Sequence, residues 1–246
     1  LIANFGNGVD NVDVQSALSR GITVTNTPGV LTEDTADMTM ALVMAVARRI
    51  PEGAKVITDE QWHGWSPTWM LGHRITGKRL GIVGMGRIGQ AIAKRALAFD
   101  MSIAYTSRNP AAVVSYTYYP SAKELAANVD YLVVITPGGA ATKHLVNAEV
   151  LSALGPKGYL INVARGSVVD QAALIEAVQK KTIAGAALDV FADEPRVPGE
   201  LRLAQNTVLT PHIGSATQQT RKAMADLCMA NMAAYFEGKP IPALVP

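Results

Sequence analysis

The sequence predicts an α/β protein built on a doubly wound parallel sheet. Two observations support this fold class. Short runs that are apolar throughout recur along the chain, as expected of strands whose two faces are both covered. Helical periodicity fills most of the segments between these runs, and such alternation of strands and helices is typical of a parallel sheet with helices on both faces.

The individual elements follow from these patterns in chain order. The runs with strand character are 21–28, 79–84, 102–107, 130–136, 158–164, 184–191 and 207–212. The segments with helical periodicity are 31–50, 87–99, 121–128, 147–154, 170–181 and about 216–237. Two of the starts carry capping residues, since Ser121 is followed three positions later by Glu124 and Asp170 opens its helix.

The segment 31–50 is apolar on nearly every side of the predicted helix, in LTEDTADMTMALVMAVARRI. A helix of this kind is buried, here between domains or between subunits. The segment WHGWSPTWMLG at 62–72 contains all three tryptophans of the chain. Taken by itself, this segment is best explained as a hydrophobic arm that packs on a partner subunit.

Composition narrows the classes of function. The net charge is +2 and 17% of the residues are charged, so bulk charge does not indicate a nucleic-acid partner. Cys228 is the single cysteine and is expected to be a small buried hydrophobic residue. We expect a cytoplasmic protein, because neither a membrane span nor a signal peptide is visible. The remaining histidines, His63, His73 and His144, have no metal-ligand spacing.

A glycine motif follows the strand at 79–84 and opens a predicted helix. In GIVGMGRIGQ, Gly84 permits a tight turn, Gly86 lets the backbone approach a pyrophosphate, and Gly89 lets helix and strand pack closely. The free N–H groups of the helix N-terminus also attract phosphate. In this strand–turn–helix context the motif predicts a Rossmann-type NAD(P)-binding domain.

The end of the next strand indicates which dinucleotide is bound. A carboxylate usually lies there, about 20 residues after the glycines, and accepts a hydrogen bond from the ribose of NAD. This chain has Ser107 and Arg108 instead, in YTSRNP. A guanidinium can pair with a 2′-phosphate, and a hydroxyl can donate to it. We therefore expect NADPH to be preferred, with NADH possible.

Polar residues also follow the later strands, at the sheet edge where ligands bind in this fold. They are Arg165, Asp189, Glu194 and His212. A histidine suits the proton transfer that accompanies hydride transfer to a carbonyl, and an arginine can hold the carboxylate of a 2-oxo acid. Each residue taken singly also has a structural explanation.

Together these segments resemble the D-isomer-specific 2-hydroxyacid dehydrogenases, in the motifs GMGRIGQ, NVARGSVVD, AALDVFADEP and TPHIGSAT. The resemblance implies that Arg165 binds the substrate carboxylate and carbonyl oxygen, and that His212 is the general acid of the reduction. It further implies that Glu194 pairs with His212 and that Asp189 bonds the nicotinamide carboxamide.

The resemblance also implies the rest of the site. The backbone of Asn7 and Gly8 would hold the substrate carboxylate. The other residues expected along the cofactor are Arg87, Ile88, Thr136, Pro137, Val163, Ala164 and Gly214, together with His212. Residues 1–28 would be a remnant of a flavodoxin-like substrate domain, residues 29–213 the dinucleotide-binding domain, and 214–246 a C-terminal helix that returns to the substrate domain. The stretch after Arg108 is a few residues shorter, near Val114 and Ser115, than the resemblance leads us to expect.

Within the family, the tryptophan arm and YTSRNP are most similar to the glyoxylate/hydroxypyruvate reductases. This similarity implies a homodimer in which Trp69 enters the substrate pocket of the partner, and a small 2-oxo acid as substrate. Two alternatives stay open. One is a nucleotide-sensing corepressor of the same fold, and the other is an NAD-dependent D-2-hydroxyacid dehydrogenase of another specificity, for which an acid at position 107 would be expected.

Overall fold

The computed structural model describes residues 1–111 and 114–246. The chain forms two compact units, one of Leu1–Thr35 with Ser215–Pro246 and one of Ala36–Gly214. The strands are β1 (Ile2–Ala3), β2 (Val24–Thr25), β3 (Arg79–Val83), β4 (Ser102–Thr106), β5 (Thr117–Tyr118), β6 (Tyr131–Val134), β7 (Tyr159–Asn162), β8 (Gly185–Leu188) and β9 (Thr207–Leu209).

The helices lie between these strands along the chain, except α9, which follows β9. They are α1 (Val14–Ser19), α2 (Thr32–Ala47), α3 (Ile50–Thr58), α4 (Arg87–Leu97), α5 (Ala122–Ala126), α6 (Ala148–Leu154), α7 (Gln171–Gln179), α8 (Gly199–Arg202) and α9 (Gln218–Phe236). Among the described residues, no helix is both long and apolar enough to cross a membrane.

The larger unit contains a parallel sheet in the order β5-β4-β3-β6-β7-β8-β9. The order runs outward in both directions from β3, so the predicted doubly wound α/β fold is confirmed. The switch point lies between β3 and β6, where Val83 pairs with Thr106 on one side and Val134 on the other. A crevice for ligands is expected at the carboxyl ends of these strands.

Both faces of this sheet are covered, as the apolar runs predicted. In β6, Tyr131 and Val133 belong to the core cluster that contains α2 and α4. Leu132 and Val134 of the same strand belong to the cluster that contains α5, α6 and α7. This alternation places successive side chains in two different cores, which explains why the strand is apolar at every position.

The predicted C-terminal end of the helix at 31–50 is wrong. Helix α2 ends at Ala47, and α3 begins at Ile50 after Arg49 adopts a left-handed φ of 55°. Pro51 has no N–H with which to bond the carbonyl of Ala47, so the helix cannot continue through it. That carbonyl instead accepts a hydrogen bond of 2.7 Å from the backbone N–H of His73.

The burial of α2 also differs from expectation. We expected its apolar surface to be buried between domains or subunits. Met40, Leu42, Val43 and Val46 are instead buried in the core of their own unit, and Met44 is partly buried there. The helix is apolar on most sides because its side chains pack in the core cluster that also contains residues of the sheet and of α4.

The edge strand β5 was not predicted, because its two residues carry too little pattern to be recognised. It follows a connection in which Ala112 and Val113, within the stretch expected to be short, lie outside the described residues.

The smaller unit contains the parallel pair β1–β2 with α1 and α9. Thr217 caps α9, and Asn231 of that helix is buried, donates to the carbonyl of Asn26 and accepts from the N–H of Ala243. Cys228 on α9 is partly exposed, which corrects the expectation of a buried thiol.

Candidate active site

The glycine loop joins β3 to α4, and each of its glycines has a distinct steric environment. Gly84 has a φ of +110°, and its N–H donates to the carbonyl of Thr106 at 2.9 Å. A Cβ atom added to Gly89 would lie 2.2 Å from the carbonyl oxygen of Gly84. A Cβ atom added to Gly86, at the N-cap of α4, would meet nothing within 4 Å.

Gly84 and Gly89 are therefore required by the chain itself, whereas Gly86 faces open space. This space lies at the N-terminus of α4, where unpaired N–H groups attract a phosphate. The loop thus fits a dinucleotide pyrophosphate, and Gly86 is the position where a side chain would compete with it. Arg87 and Ile88 form the first turn of the same helix.

We expect Gly86→Ala to fold normally and to bind cofactor poorly. Its φ of −79° is compatible with alanine, so stability should stay within about 1 kcal/mol of the parent. The methyl group would occupy the space of the pyrophosphate and weaken cofactor binding about ten- to a hundredfold. Calorimetric titration with the cofactor, combined with thermal unfolding, measures both effects. Gly89→Ala is the contrast, since it should destabilise the fold; unchanged cofactor affinity in Gly86→Ala would contradict the assignment.

The strand β4 brings Ser107 and Arg108 next to the glycine loop. Thr106, the last residue of β4, accepts the N–H of Gly84, and Ser107 follows directly. Arg108 is exposed to solvent. The Ser107 hydroxyl donates to the carbonyl of Asn109 at 2.5 Å, so a contact of this hydroxyl with a phosphate requires that bond to open.

The segment after β6 lies on the other side of the same loop. The position of a Cβ atom on Gly84 would be 2.9 Å from the carbonyl oxygen of Ile135 and 3.1 Å from the nitrogen of Thr136. Thr136 is partly buried and Pro137 is exposed, and the hydroxyl of Thr142 donates to the Pro137 carbonyl at 2.7 Å. The residues expected to edge the adenosine thus adjoin the glycine loop.

Arg165 is held by a residue that the sequence interpretation missed. Asn162, the last residue of β7, is buried, and its side-chain amide donates to the carbonyl of Arg165 at 3.1 Å. The amide oxygen of the same side chain accepts the N–H of Ala164, also at 3.1 Å. Asn162 therefore fixes the turn that carries Arg165, and Val163 and Ala164 in that turn are buried. The sequence did contain a signal for this role, since Asn162 is a polar residue at the end of an apolar strand.

Gly166 allows this turn to pack against another one. A Cβ atom added to Gly166 would lie 1.9 Å from the carbonyl carbon of Phe191 and 2.3 Å from the nitrogen of Ala192. The turn after β7 is thus in backbone contact with the turn that leads to Glu194. Any side chain at position 166 would separate Arg165 from its neighbours at this edge.

Asp189 follows β8 and organises the segment around His212. Its buried carboxylate accepts hydrogen bonds from the hydroxyl of Thr210 at 2.7 Å, from the N–H of Ile213 at 2.9 Å and from the N–H of Gly214 at 2.7 Å. The backbone carbonyl of Asp189 also accepts the N–H of His212 at 2.9 Å. This positioning contact was not predicted, and the expected bond to the nicotinamide carboxamide stays a prediction.

Glu194 and His212 form a direct pair. The imidazole Nδ1 of His212 lies 2.8 Å from Oε2 of Glu194, and the other carboxylate oxygen accepts the N–H of Phe191 at 3.0 Å. The carboxylate therefore orients the ring and places the Nδ1 proton toward itself. The second ring nitrogen, Nε2, is left to exchange a proton with a ligand.

The geometry defines a class of protein. A doubly wound parallel sheet carries a glycine loop that fits a pyrophosphate at the start of one helix, and a histidine–carboxylate pair and an arginine occupy the carboxyl edge. Such a combination belongs to dehydrogenases that use a nicotinamide dinucleotide. Within the described residues, no group of His, Cys, Asp and Glu could hold a metal ion.

The chain belongs to the D-isomer specific 2-hydroxyacid dehydrogenase family, since residues 40–214 match the profile of that family's NAD binding domain. The resemblance inferred from the four motifs is thereby confirmed, and the protein is an oxidoreductase that uses a nicotinamide cofactor.

Similar proteins agree with this assignment. The chain is 47% identical over 241 residues to hydroxyphenylpyruvate reductase of Plectranthus scutellarioides, an alignment that covers 98% of this chain and 76% of that protein. It is 44% identical over 252 residues to glyoxylate reductase of Pyrococcus furiosus, covering 100% of this chain and 75% of that protein.

A solved structure of the NADPH-dependent glyoxylate/hydroxypyruvate reductase of Sinorhizobium meliloti, in complex with NADP and malonate, is also similar. It superimposes with a TM-score of 0.94 at 48% identity, covering 98% of this chain and 76% of that one. These relatives are reductases, which favours an enzyme over the alternative of a corepressor-like nucleotide sensor.

Proposed function

We propose that this protein reduces glyoxylate, hydroxypyruvate or a related small 2-oxo acid to the D-2-hydroxy acid, with NADPH as the preferred cofactor. The observation that carries the proposal is the His212–Glu194 pair at 2.8 Å, in a chain of this family. The names of similar proteins support the substrate class, since they are reductases of glyoxylate, hydroxypyruvate or hydroxyphenylpyruvate.

The residues that follow the carboxyl ends of the strands have different roles in the reaction. A nicotinamide dinucleotide held by the glycine loop would supply the hydride for the carbonyl carbon. His212 donates the proton that the carbonyl oxygen requires, from the Nε2 position opposite its bond to Glu194. Arg165 holds the substrate carboxylate and the carbonyl oxygen through its guanidinium. Glu194 orients the imidazole, and Asp189 would bond the carboxamide of a bound nicotinamide.

Asn7 and Gly8 are proposed to bind the substrate carboxylate through their backbone. In the smaller unit, the N–H of Thr27 donates to the carbonyl of Gly6 at 2.9 Å, in the peptide that carries the N–H of Asn7, and the side chain of Asn26 donates to the carbonyl of Asn7 at 2.8 Å, in the peptide that carries the N–H of Gly8. These bonds fix the peptide planes of the loop. Backbone N–H groups that are held in place in this way are suited to binding an anion.

A direct assay tests the activity. We expect the protein to oxidise NADPH in the presence of glyoxylate or hydroxypyruvate, followed by the loss of absorbance of the reduced nicotinamide. Binding of NADPH without turnover on any of a panel of 2-oxo acids would overturn the proposal and favour a nucleotide sensor.

The preference for NADPH rests on Arg108. Replacing it with alanine should raise the Michaelis constant for NADPH about ten- to a hundredfold, because one charge-assisted contact with the 2′-phosphate is lost. The constant for NADH should change little. Arg87→Ala is a useful comparison, since a pyrophosphate contact would affect both cofactors alike. Equal losses for NADPH and NADH in Arg108→Ala would show that this residue does not recognise the 2′-phosphate.

We further propose a homodimer whose interface includes α3 and the tryptophan arm at 62–72, with Trp69 entering the pocket of the partner. The support is a set of exposed apolar side chains on these segments: Ile50, Ile57, Trp62, Trp65, Trp69 and Leu71. Exposed aromatic residues of this kind are frequent anchors of interfaces. Charges on α2 would not test the interface, because Val43 is 0% exposed and Val43→Glu would disrupt the core.

The double substitution Ile57→Glu with Trp65→Glu should instead give a folded monomer with little activity. Leu203→Glu is the matched control, since Leu203 is 83% exposed outside these segments. Sedimentation of the parent protein as a fully active monomer at micromolar concentration would refute the proposed assembly. Trp69→Ala should keep the dimer and change the preference among 2-oxo acids.

A further inference from the structure

The loop that carries Arg108 is anchored by a buried tyrosine. Tyr105 lies on β4 and is 2% exposed, yet its hydroxyl reaches the surface segment that follows the strand. There the phenolic oxygen accepts the backbone N–H of Ala111 at 2.9 Å. The hydroxyl of a tyrosine in the core thus holds the far end of an exposed loop.

The near end of the same loop is fixed independently. Thr106 accepts the N–H of Gly84 in the glycine loop, at 2.9 Å. Inside the loop, the Ser107 hydroxyl bonds the Asn109 carbonyl. The segment 107–111 is therefore tied at its start to the phosphate-binding turn and at its end to Tyr105, with Arg108 between the two anchors.

A second tyrosine supports the first. Tyr118 on β5 pairs in register with Tyr105, and the two rings lie 5.4 Å apart. The hydroxyl of Tyr118 donates to the carbonyl of Ser107 at a long 3.4 Å. Two tyrosines on adjacent strands thus bond the backbone of the loop, and the hydrogen bond of Tyr105 is the shorter of the two.

We propose that Tyr105 is a positioning residue for recognition of the 2′-phosphate of the cofactor. Arg108 is exposed, so ordering its loop before binding removes part of the entropy that binding would otherwise cost. The Tyr105 hydroxyl provides this order through its bond with the backbone N–H of Ala111. The inference rests on the proposed role of Arg108 and adds the residue that fixes its backbone.

The test uses Tyr105→Phe, which keeps the buried ring and removes only the hydroxyl. The ligands are 2′,5′-ADP and 5′-AMP, which differ by the 2′-phosphate, and their dissociation constants are measured by calorimetry. We expect the constant for 2′,5′-ADP to rise about three- to tenfold, the effect of one lost hydrogen bond, and that for 5′-AMP to stay unchanged. In turnover, the Michaelis constant for NADPH should rise while kcat does not.

Tyr131→Phe is the matched control. Tyr131, the first residue of β6, is also 2% exposed and lies in the same core cluster. Its hydroxyl donates to the carbonyl of Arg74 at 3.2 Å. This variant should lose comparable stability and keep the ratio of the two dissociation constants. An unchanged ratio in Tyr105→Phe, or an equal change of the ratio in both variants, would overturn the inference.

Arg108→Ala distinguishes a failure of the positioning role of Tyr105 from a failure of 2′-phosphate recognition by Arg108. Combined with Tyr105→Phe, it should give no further loss of 2′,5′-ADP affinity beyond Arg108→Ala alone, because the tyrosine acts through the arginine. A selective effect of Arg108→Ala without one of Tyr105→Phe would reject only the positioning role. If Arg108→Ala weakens both ligands equally, the assigned 2′-phosphate recognition itself fails.

Discussion

Asparagine in place of His212 should lower the turnover number by about two to four orders of magnitude while the cofactor still binds. The proton donor acts only as the carbonyl is reduced, so its loss appears in kcat and leaves binding of the nucleotide intact. Asparagine suits the position, because His212 has a φ of 54° and asparagine tolerates the left-handed region better than most residues. Single-turnover kinetics and cofactor titration separate the two quantities.

His144→Asn provides the control for this experiment. His144 is an exposed histidine in the same unit and has a similar φ of 52°, but it has no carboxylate partner among the contacts described for it. The control should keep its activity. A His212→Asn enzyme that retains more than about a tenth of the parent turnover would show that another group delivers the proton.

Gly166→Ala is expected to remove activity and stability together. The added Cβ would lie 1.9 Å from the carbonyl carbon of Phe191, well inside van der Waals contact, and both partners are backbone that cannot rotate away. The two turns must therefore separate, at a cost of about 3 kcal/mol or more. A displacement of Arg165 by about 1 Å would lower kcat/KM about a hundredfold.

Thermal unfolding and steady-state kinetics together test this expectation. Gly199→Ala is the matched control, because its Cβ would meet only the flexible side chain of Arg202 at 3.8 Å. That control should be close to the parent in both measurements. If Gly166→Ala melts at the parent temperature with full activity, the contact between the turns that carry Arg165 and Glu194 does not exist in solution.

Some of this protein could be predicted from its sequence because the signals are local. The apolar runs gave β3, β4, β6, β7, β8 and β9, and GIVGMGRIGQ indicated a strand, a turn and a helix in the observed order. The fold class and the family followed from these patterns and from the four motifs, and both are confirmed. Periodicity and glycine spacing are properties of consecutive residues, so they are visible before the chain folds.

Other features were missed because they depend on a distant partner. The end of α2 at Ala47 depends on Pro51, which is visible in the sequence. It also depends on His73, whose N–H donates to the carbonyl of Ala47 that Pro51 leaves without a partner. The burial of α2 was assigned to an interface because nothing in its own residues distinguishes a partner subunit from the sheet of the same unit. The edge strand β5 depends on pairing with β4.

The sequence by itself determined the fold class, the glycine loop and the residue types at the carboxyl edge. Only the tertiary structure showed that Asn162 fixes the turn of Arg165, that Asp189 fixes the segment of His212, and that Gly166 lets two backbone segments touch. The contacts of Asp189 and Gly166 join residues more than twenty positions apart along the chain, and parallel pairing of β7, β8 and β9 brings their ends together, whereas Asn162 acts within its own turn. Distances of this kind are set by the sheet and its register, which no local pattern encodes.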